Sequence, residues 1–397
     1  MNKKKIEKSV LKTFQTEIPS IYFSDKSFAF YKRFEKNFEY TYRNLLNFPK
    51  EMFLNKKILD FGGGTGENSV FFLKWGAKIT HVEFNTKAIK IAKEVFKKHG
   101  VNKNYKFVNK SLFDFNTKEK FDIVHSRGVL AHTYDKQLGF KKMANFLKPG
   151  GYLIYGDPDK SGSFQNMLQR HIVYSLSKNE EEQVKICKQL FYEDILRSKK
   201  YSYRSVDRII YDRWIIQQQD NPSISEVLNW FKNNNITFYS SYPRIIFPFT
   251  SDSIHHDKKF NYNILGNLSV LTEQIWMKKN FHDNYEYSKM LGPTKKINQI
   301  HKKLSKIISN ISPRKKINEK NLSNVIAYYL KDLKNLNLNK CFLEENINFF
   351  LEVQKLLKIL KKKNITEIRS FIKKNKIIFK GFAGVRHVDY IGVKNEN

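Results

Sequence analysis

The sequence predicts an α/β fold, a layered and mainly parallel sheet with helices on both faces, and three observations predict it. Over residues 57–156, short apolar runs alternate with segments of helical periodicity. Glycine and proline fall between those segments, where turns belong. The first apolar run, ILDF, meets the four glycines of GGGTG (Gly62, Gly63, Gly64 and Gly66), a bend that leads into the next helical stretch. Strands joined through helices of this length pair in parallel, with the helices as crossovers.

Residues 1–54 read as an N-terminal helical cover, with aromatics scattered through YFSDKSFAFYKRFEKNFEYTYRNLLNF. KILDF is a strand and ENSVFFLKWG a helix. AKITHVEF and TKAIKIAKEVFKKHG repeat the pair, and Gly100 ends the second helix. YKFVNKSLFDF and FDIVHSRGVLAH supply further strands. QLGFKKMANFLKPG is a helix stopped at Pro149-Gly150-Gly151 before the strand GYLIYGD. Residues of about 160–216 form a helical insertion placed to cover the carboxyl ends of the strands. SISEVLNWFKNNN is a helix capped by Ser225 with Glu226 nearby, ITFYSSYP is a strand, and NLSVLTEQIWMKK is expected to supply the last strand. The main domain is thus expected over residues 55–280. The 117 residues from 281 to 397 carry net charge +15 and read as a basic helical C-terminal appendage whose apolar stripe docks on a core.

Composition narrows the function classes. Of 72 basic residues 60 are Lys and 12 are Arg, against 38 acidic residues, for a net charge of +34. Abundant Asn, Ile, Phe and Tyr accompany the Lys, as codon bias toward A and T would produce, so the charge attracts anions without specifying nucleic acid. Cys187 and Cys341 stand alone, outside any zinc or disulfide spacing, which fits a reducing cytoplasm. The start MNKKKIEKSVLKTF lacks a following signal-like apolar stretch, and no uninterrupted apolar run approaches the roughly 18 residues of a membrane span.

Glycines where a strand turns into a helix let backbone approach a ligand closely. Glu83 ends the next strand, 17 residues beyond Gly66, where an acid can accept both hydroxyls of a ribose. No GK[ST] follows the glycines, which disfavours a P-loop and leaves a dinucleotide or an S-adenosylmethionine site.

ILDFGGGTGENSV resembles the first motif of the class I S-adenosylmethionine-dependent methyltransferases, an acid, one residue and GxGxG, here Asp60, Gly62, Gly64 and Gly66. HVEFN, NKSLFDF, VHSRGVLAHTYD and LKPGGYLIYGD continue the resemblance in order over residues 58–156. The resemblance implies a Rossmann-like sheet and S-adenosyl-L-methionine as cofactor. It further implies that the glycine backbone receives the methionine portion, with Asp60 binding its ammonium directly or through water. Glu83 would hold the ribose, Ser111 and Leu112 would contact the adenine, although the family often has Asp at the first of these, and Ser126 would lie after the fourth strand. No metal is required by this chemistry.

On the acceptor side the candidates are His132, Arg127 and Tyr211. The imidazole can deprotonate a hydroxyl or amine, or merely cap and pack. Arg127 and Arg170 can clamp a carboxylate or phosphate, although Arg170 sits equally well on a solvated helix face. Asp157 and Asp159 follow the fifth strand. Tyr211 and Trp214 read either as an acceptor wall or as one packed helical face. His255-His256-Asp257 is read as loop rather than a metal cluster.

The expected function is methyl transfer to an oxygen or nitrogen of a small molecule, with a nucleotide-linked or cell-surface sugar among the candidates. RNA methylation and a non-catalytic basic scaffold binding RNA or anionic surfaces are the alternatives. Against RNA, no NPPY-like motif follows the fourth strand, where HSRGVL stands.

Overall fold

The computed structural model describes residues 3–18, 23, 26–160, 162–216, 218–244, 296, 299–300, 302, 304, 319–335, 340–380 and 387–396. The chain forms two compact units, one from Met1–His255, Leu304–Lys315 and Gly381–Asn397, the other from His256–Lys303 and Lys316–Lys380.

The first unit is built on a seven-stranded sheet. Its strands are β1 (Lys57–Phe61), β2 (Lys78–Val82), β3 (Tyr105–Val108), β4 (Phe121–Arg127), β5 (Leu147–Pro158), β6 (Ile236–Tyr242) and β7 (His387–Lys394). They lie in the order β3-β2-β1-β4-β5-β7-β6, parallel except for β7, which runs antiparallel to both neighbours. The sequence pattern places this alternation correctly as far as β6. The strand between β5 and β6, β7, comes from the end of the chain, inside the region expected to be mostly helical. NLSVLTEQIWMKK lies outside the described residues, as do His255-His256-Asp257.

Strand side chains alternate between two cores. Ile58, Ile79, Ile123, Ile154 and Ile391 pack on one face beneath α2 (Phe28–Tyr40), α3 (Ser69–Lys74) and α4 (Thr86–Lys98). Leu59, Phe61, Val124, Leu153 and Tyr155 pack on the other with α5 (Lys136–Asn145) and α10 (Ile224–Asn233). A π-helical segment, Thr41–Leu45, continues α2.

Between β5 and α10 lies the helical insertion, made of α6 (Phe164–Leu176), α7 (Glu180–Leu190), α8 (Tyr192–Ser202), α9 (Val206–Ile210) and a π-helical turn, Tyr211–Ile215. The cap of α10 is Ser223, not Ser225: the Ser223 hydroxyl accepts from Glu226 N and the Glu226 carboxylate accepts from Ser223 N. Both serines suit a cap, but only the earlier one has Glu at the third helical position.

The N-terminal helix α1 spans Lys3–Thr16. In the second unit, α11 (Glu319–Lys334), α12 (Lys340–Lys361) and α13 (Ile365–Lys374) bury Ile326, Leu333, Val353, Leu356, Leu360 and Ile368. Tyr329 and Phe350 meet edge to face at 4.6 Å.

Candidate functional site

The chain leaves β1 through Gly62 (φ +64°), Gly64 (φ +55°) and Gly66 (φ +80°), a conformation that side chains beyond glycine rarely tolerate. The three do different work. A Cβ on Gly62 would lie 2.4 Å from Val129, and one on Gly66 would lie 2.8 Å from Phe96. On Gly64 it would meet only the Gly62 carbonyl, at 3.9 Å. Gly62 and Gly66 therefore admit the chain's own packing, and Gly64 presents bare backbone to open space.

Asp60 lies beneath this loop and is 1% exposed. The Ser69 hydroxyl donates to one of its oxygens, and His125 Nδ1 lies 2.7 Å from the other. His81 Nδ1 is 3.1 Å from Ser69 Oγ, and its Nε2 is 3.3 Å from the Gly64 carbonyl. Burial pushes the Asp60 carboxyl up, but His125, His81 and Ser69 together hold it below its usual range. Each of its oxygens is thus engaged by one of the chain's own groups, which brace the loop from below. His81, Ser69 and His125 were not singled out from sequence. The available signal was register, because Asp60 pairs with His81 on β2 and with His125 on β4.

Glu83 follows β2 and couples it to the glycine loop. Its carboxylate accepts from Gly64 N at 3.0 Å and from Asn85 N at 2.8 Å. Burial raises its pKa above the ordinary value, and the N–H groups of Asn85, Gly64 and Phe84 draw it only partly back. A carboxylate offers about four acceptor positions, so two bonds leave room for a ligand's hydroxyls. Ser111 Oγ donates to Glu7 at 2.5 Å, and Leu112 is buried in the core shared with α5. Helix α1 fastens over these segments. Asn85 Nδ2 donates to the Phe14 carbonyl at 3.1 Å, and Ile6, Val10 and Phe14 pack with Phe84, Tyr134 and Ile216.

At the carboxyl end of β4, Ser126 is buried and its hydroxyl has no partner. Arg127 does not offer the anion clamp expected of it. Its Nε and Nη2 donate to the two carboxylate oxygens of Asp389 on β7, at 2.7 and 3.2 Å, and His387 Nε2 lies 3.2 Å from the same carboxylate. Asp389 completes this pair from the chain end, too far along the sequence to be read as its partner.

His132 closes a 3₁₀ turn, Leu130–His132. Its Nδ1 lies 2.9 Å from the Gln218 carbonyl; a carbonyl only accepts, so Nδ1 carries the proton and Nε2 the lone pair. Burial lowers its pKa, which keeps the ring neutral. Phe14 of α1 meets the ring edge to face at 5.6 Å. Beneath the turn, Asp157 accepts from Tyr155 OH at 2.7 Å and Ala131 N at 3.3 Å, and burial raises its carboxyl to about 7.

Tyr211 opens the π-helical turn at the end of the helical insertion. Its hydroxyl donates to Glu180 on α7 at 2.8 Å, and its pKa is pushed up to about 12 by burial and that carboxylate. Trp214 is fully buried, stacked on Phe191. The wider π turn rotates the two apart, so spacing of three no longer makes one face. Among the described residues no group of three or more His, Cys, Asp or Glu could hold a metal ion, and no helix is long and apolar enough to cross a membrane.

Residues 54–234, the span that holds every one of these site segments except α1 and β7, match a family model described as a methyltransferase domain. Residues 54–234 are a methyltransferase domain. The domain is similar to the ubiquinone biosynthesis O-methyltransferase of Coxiella burnetii, at 32% identity over 100 residues, 25% of this chain and 42% of that protein. The enzyme of the same description from Pelagibacter ubique is 24% identical over 186 residues, 45% of this chain and 76% of that protein. The chain therefore spans less than half the length of the first of these relatives. Among solved structures, the magnesium protoporphyrin IX methyltransferase of Synechocystis aligns at 12% identity and a TM-score of 0.31, over 48% of this chain and 63% of that one.

Proposed function

We propose that the protein transfers a methyl group from S-adenosylmethionine to a hydroxyl oxygen of a small organic molecule. The observation that carries this is the coupling of Gly64 to Glu83 across the carboxyl ends of β1 and β2, inside the methyltransferase domain. One bare backbone position and one buried carboxylate with spare acceptor capacity suit the amino-acid and ribose parts of that cofactor. The O-methyltransferase description of the curated relatives supports oxygen over nitrogen. No side chain of the site favours a sugar.

When bound, the cofactor supplies an activated methyl on a sulfonium sulfur. The chain has the rest to do. Asp60 and its two histidines hold the loop, Glu83 orients the ribose, and α1 keeps water from the segments around Ser111 and His132. His132 Nε2 takes the proton of the acceptor hydroxyl, and Nδ1–H on the Gln218 carbonyl fixes the ring for that task. Arg127 and Asp389 position the end of β4. Tyr211 takes no part in proton transfer.

Calorimetry with S-adenosylhomocysteine tests the cofactor half: Glu83→Ala weakens binding by at least about tenfold, as expected for loss of a charge-assisted contact. Unchanged affinity would sink the assignment. Incubation of a metabolite extract with isotopically labelled S-adenosylmethionine tests the acceptor half, with label expected in small molecules. Label found only in RNA overturns the reading.

A further inference from the structure

Arg170 on α6 is fully buried, and no described carboxylate forms an ion pair with it. Its guanidinium donates to the Arg213 carbonyl at 3.3 Å, to Gln219 Oε1 at 3.1 Å and to the Ile216 carbonyl. These are neutral acceptors, and Nε has none. The neighbouring buried arginine is matched: Arg213 donates to Asp194 at 2.8 Å. A buried charge without a counter-charge is costly, and proteins ordinarily pair it.

The surroundings hold further open hydrogen-bonding positions. Asn221 is fully buried, accepts from Gln219 Nε2 at 3.4 Å and has an unpartnered Nδ2. Asn166 donates to the same Arg213 carbonyl as Arg170, at 3.3 Å, and leaves its Oδ1 unpartnered. Arg170 Nε and Asn221 Nδ2 are thus two buried donors without partners, and Gln219 links their side chains, accepting from Arg170 through Oε1 and donating to Asn221 through Nε2. The stretch 216–221 also carries the proposed base: Gln218 O holds His132, and Asp220 N donates to the Ala131 carbonyl at 2.8 Å. Arg170 grips one part of this stretch and His132 leans on another.

We propose that Arg170, with Asn221, is the binding site for a carboxylate on the methyl acceptor, which is then a hydroxy acid. The guanidinium fork suits a planar carboxylate, and bringing the anion in supplies the directly paired carboxylate that Arg170 lacks among the described residues. This rests on the proposed methyl transfer only in taking the bound anion to be part of the acceptor.

The test is calorimetry on the full chain, with and without S-adenosylhomocysteine, using hydroxyaryl acids paired with their neutral amides: 4-hydroxybenzoate against 4-hydroxybenzamide, and 3,4-dihydroxybenzoate against its amide. The acid is expected to bind at least about tenfold more tightly than the amide in one pair or more. Arg170→Gln abolishes that preference. Because Arg170 also holds the 211–216 turn, Gln219→Glu is the second variant. It installs a carboxylate where an amide oxygen already accepts from Arg170, so it should fold, melt higher and lose the preference. Equal binding of acid and amide, binding of neither, or a preference that Gln219→Glu leaves intact overturns the proposal. Failure of the methyl-transfer reading looks different: S-adenosylhomocysteine does not bind, while the preference for the acid persists in its absence.

Discussion

At the scale of single residues, the informative groups are ionisable side chains that the fold removes from water. His171 is fully buried, both ring nitrogens lack partners, and burial lowers its pKa from 6.5 to about 4. The folded state therefore binds fewer protons than the unfolded one between these values, so stability falls as pH drops from 6.5 toward 4, by about 3 kcal/mol in all. Asp157 has the opposite sign. Its carboxyl is raised from 3.8 to about 7, so ionisation above pH 4 opposes folding until the pH reaches about 7. Asp157→Asn keeps an acceptor for Tyr155 and Ala131 and removes the charge; it should raise the melting temperature at pH 8 by a few degrees and leave it nearly unchanged at pH 4. A lower melting temperature at pH 8 would mean that the ionised form is the one the site needs. His132 has a kinetic counterpart. Its depressed pKa predicts that kcat/KM stays level from pH 8 down past 6.5 and falls only on the acid side of that value, and His132→Gln should lower kcat about 10²-fold or more without changing cofactor affinity. Wild-type kcat in the His132→Gln variant would remove the residue from proton transfer.

Elements show why some side chains were legible in the sequence and others were not. Glu83 and the glycines declare themselves because strand, bend and acid follow within one βαβ unit, where local spacing determines spatial placement. Arg127 was misread because its partner, Asp389, arrives on β7 from 262 residues away. Sequence order gives no signal for such a pairing; only the sheet register does, with Arg127 and Asp389 both opposite Gly156 on β5. The same holds for Tyr211, where a π turn, set by packing rather than composition, defeats helical spacing. The Arg127 pair makes a firm prediction. Asp389→Ala leaves a largely buried guanidinium without its carboxylate, a change that costs about 3–5 kcal/mol and should be visible in urea denaturation. Arg127→Met together with Asp389→Leu should recover most of the loss; failure of the double variant to recover would assign Arg127 a further partner.

The whole molecule follows from one topological fact. β6 and β7 are antiparallel neighbours, with Tyr242 opposite Asp389, yet everything from residue 256 to 303 and from 316 to 380 belongs to the other compact unit. The basic helical region expected at the C-terminus is thus interposed between two adjacent strands of the methyltransferase sheet, and the chain returns afterwards to complete it. Insertions at such points are tolerated because the paired strands bring the two chain ends together. Excision follows the same logic. Joining residue 255 to residue 304 and residue 315 to residue 381 keeps every segment of the sheet unit and leaves residues 245–255, 304–315 and 381–386 to connect the hairpin, a loop whose closure costs less than that of the long native excursion. The sheet unit should then fold with a cooperative thermal transition, and its affinity for S-adenosylhomocysteine should stay within roughly threefold of the full chain, as expected for a unit with its own core. Glu83, Asp60 and His132 all lie in that unit, together with their hydrogen-bonding partners. Loss of cooperative folding on excision would show that residues 256–303 and 316–380 are part of what stabilises the sheet, and that the two units do not fold independently.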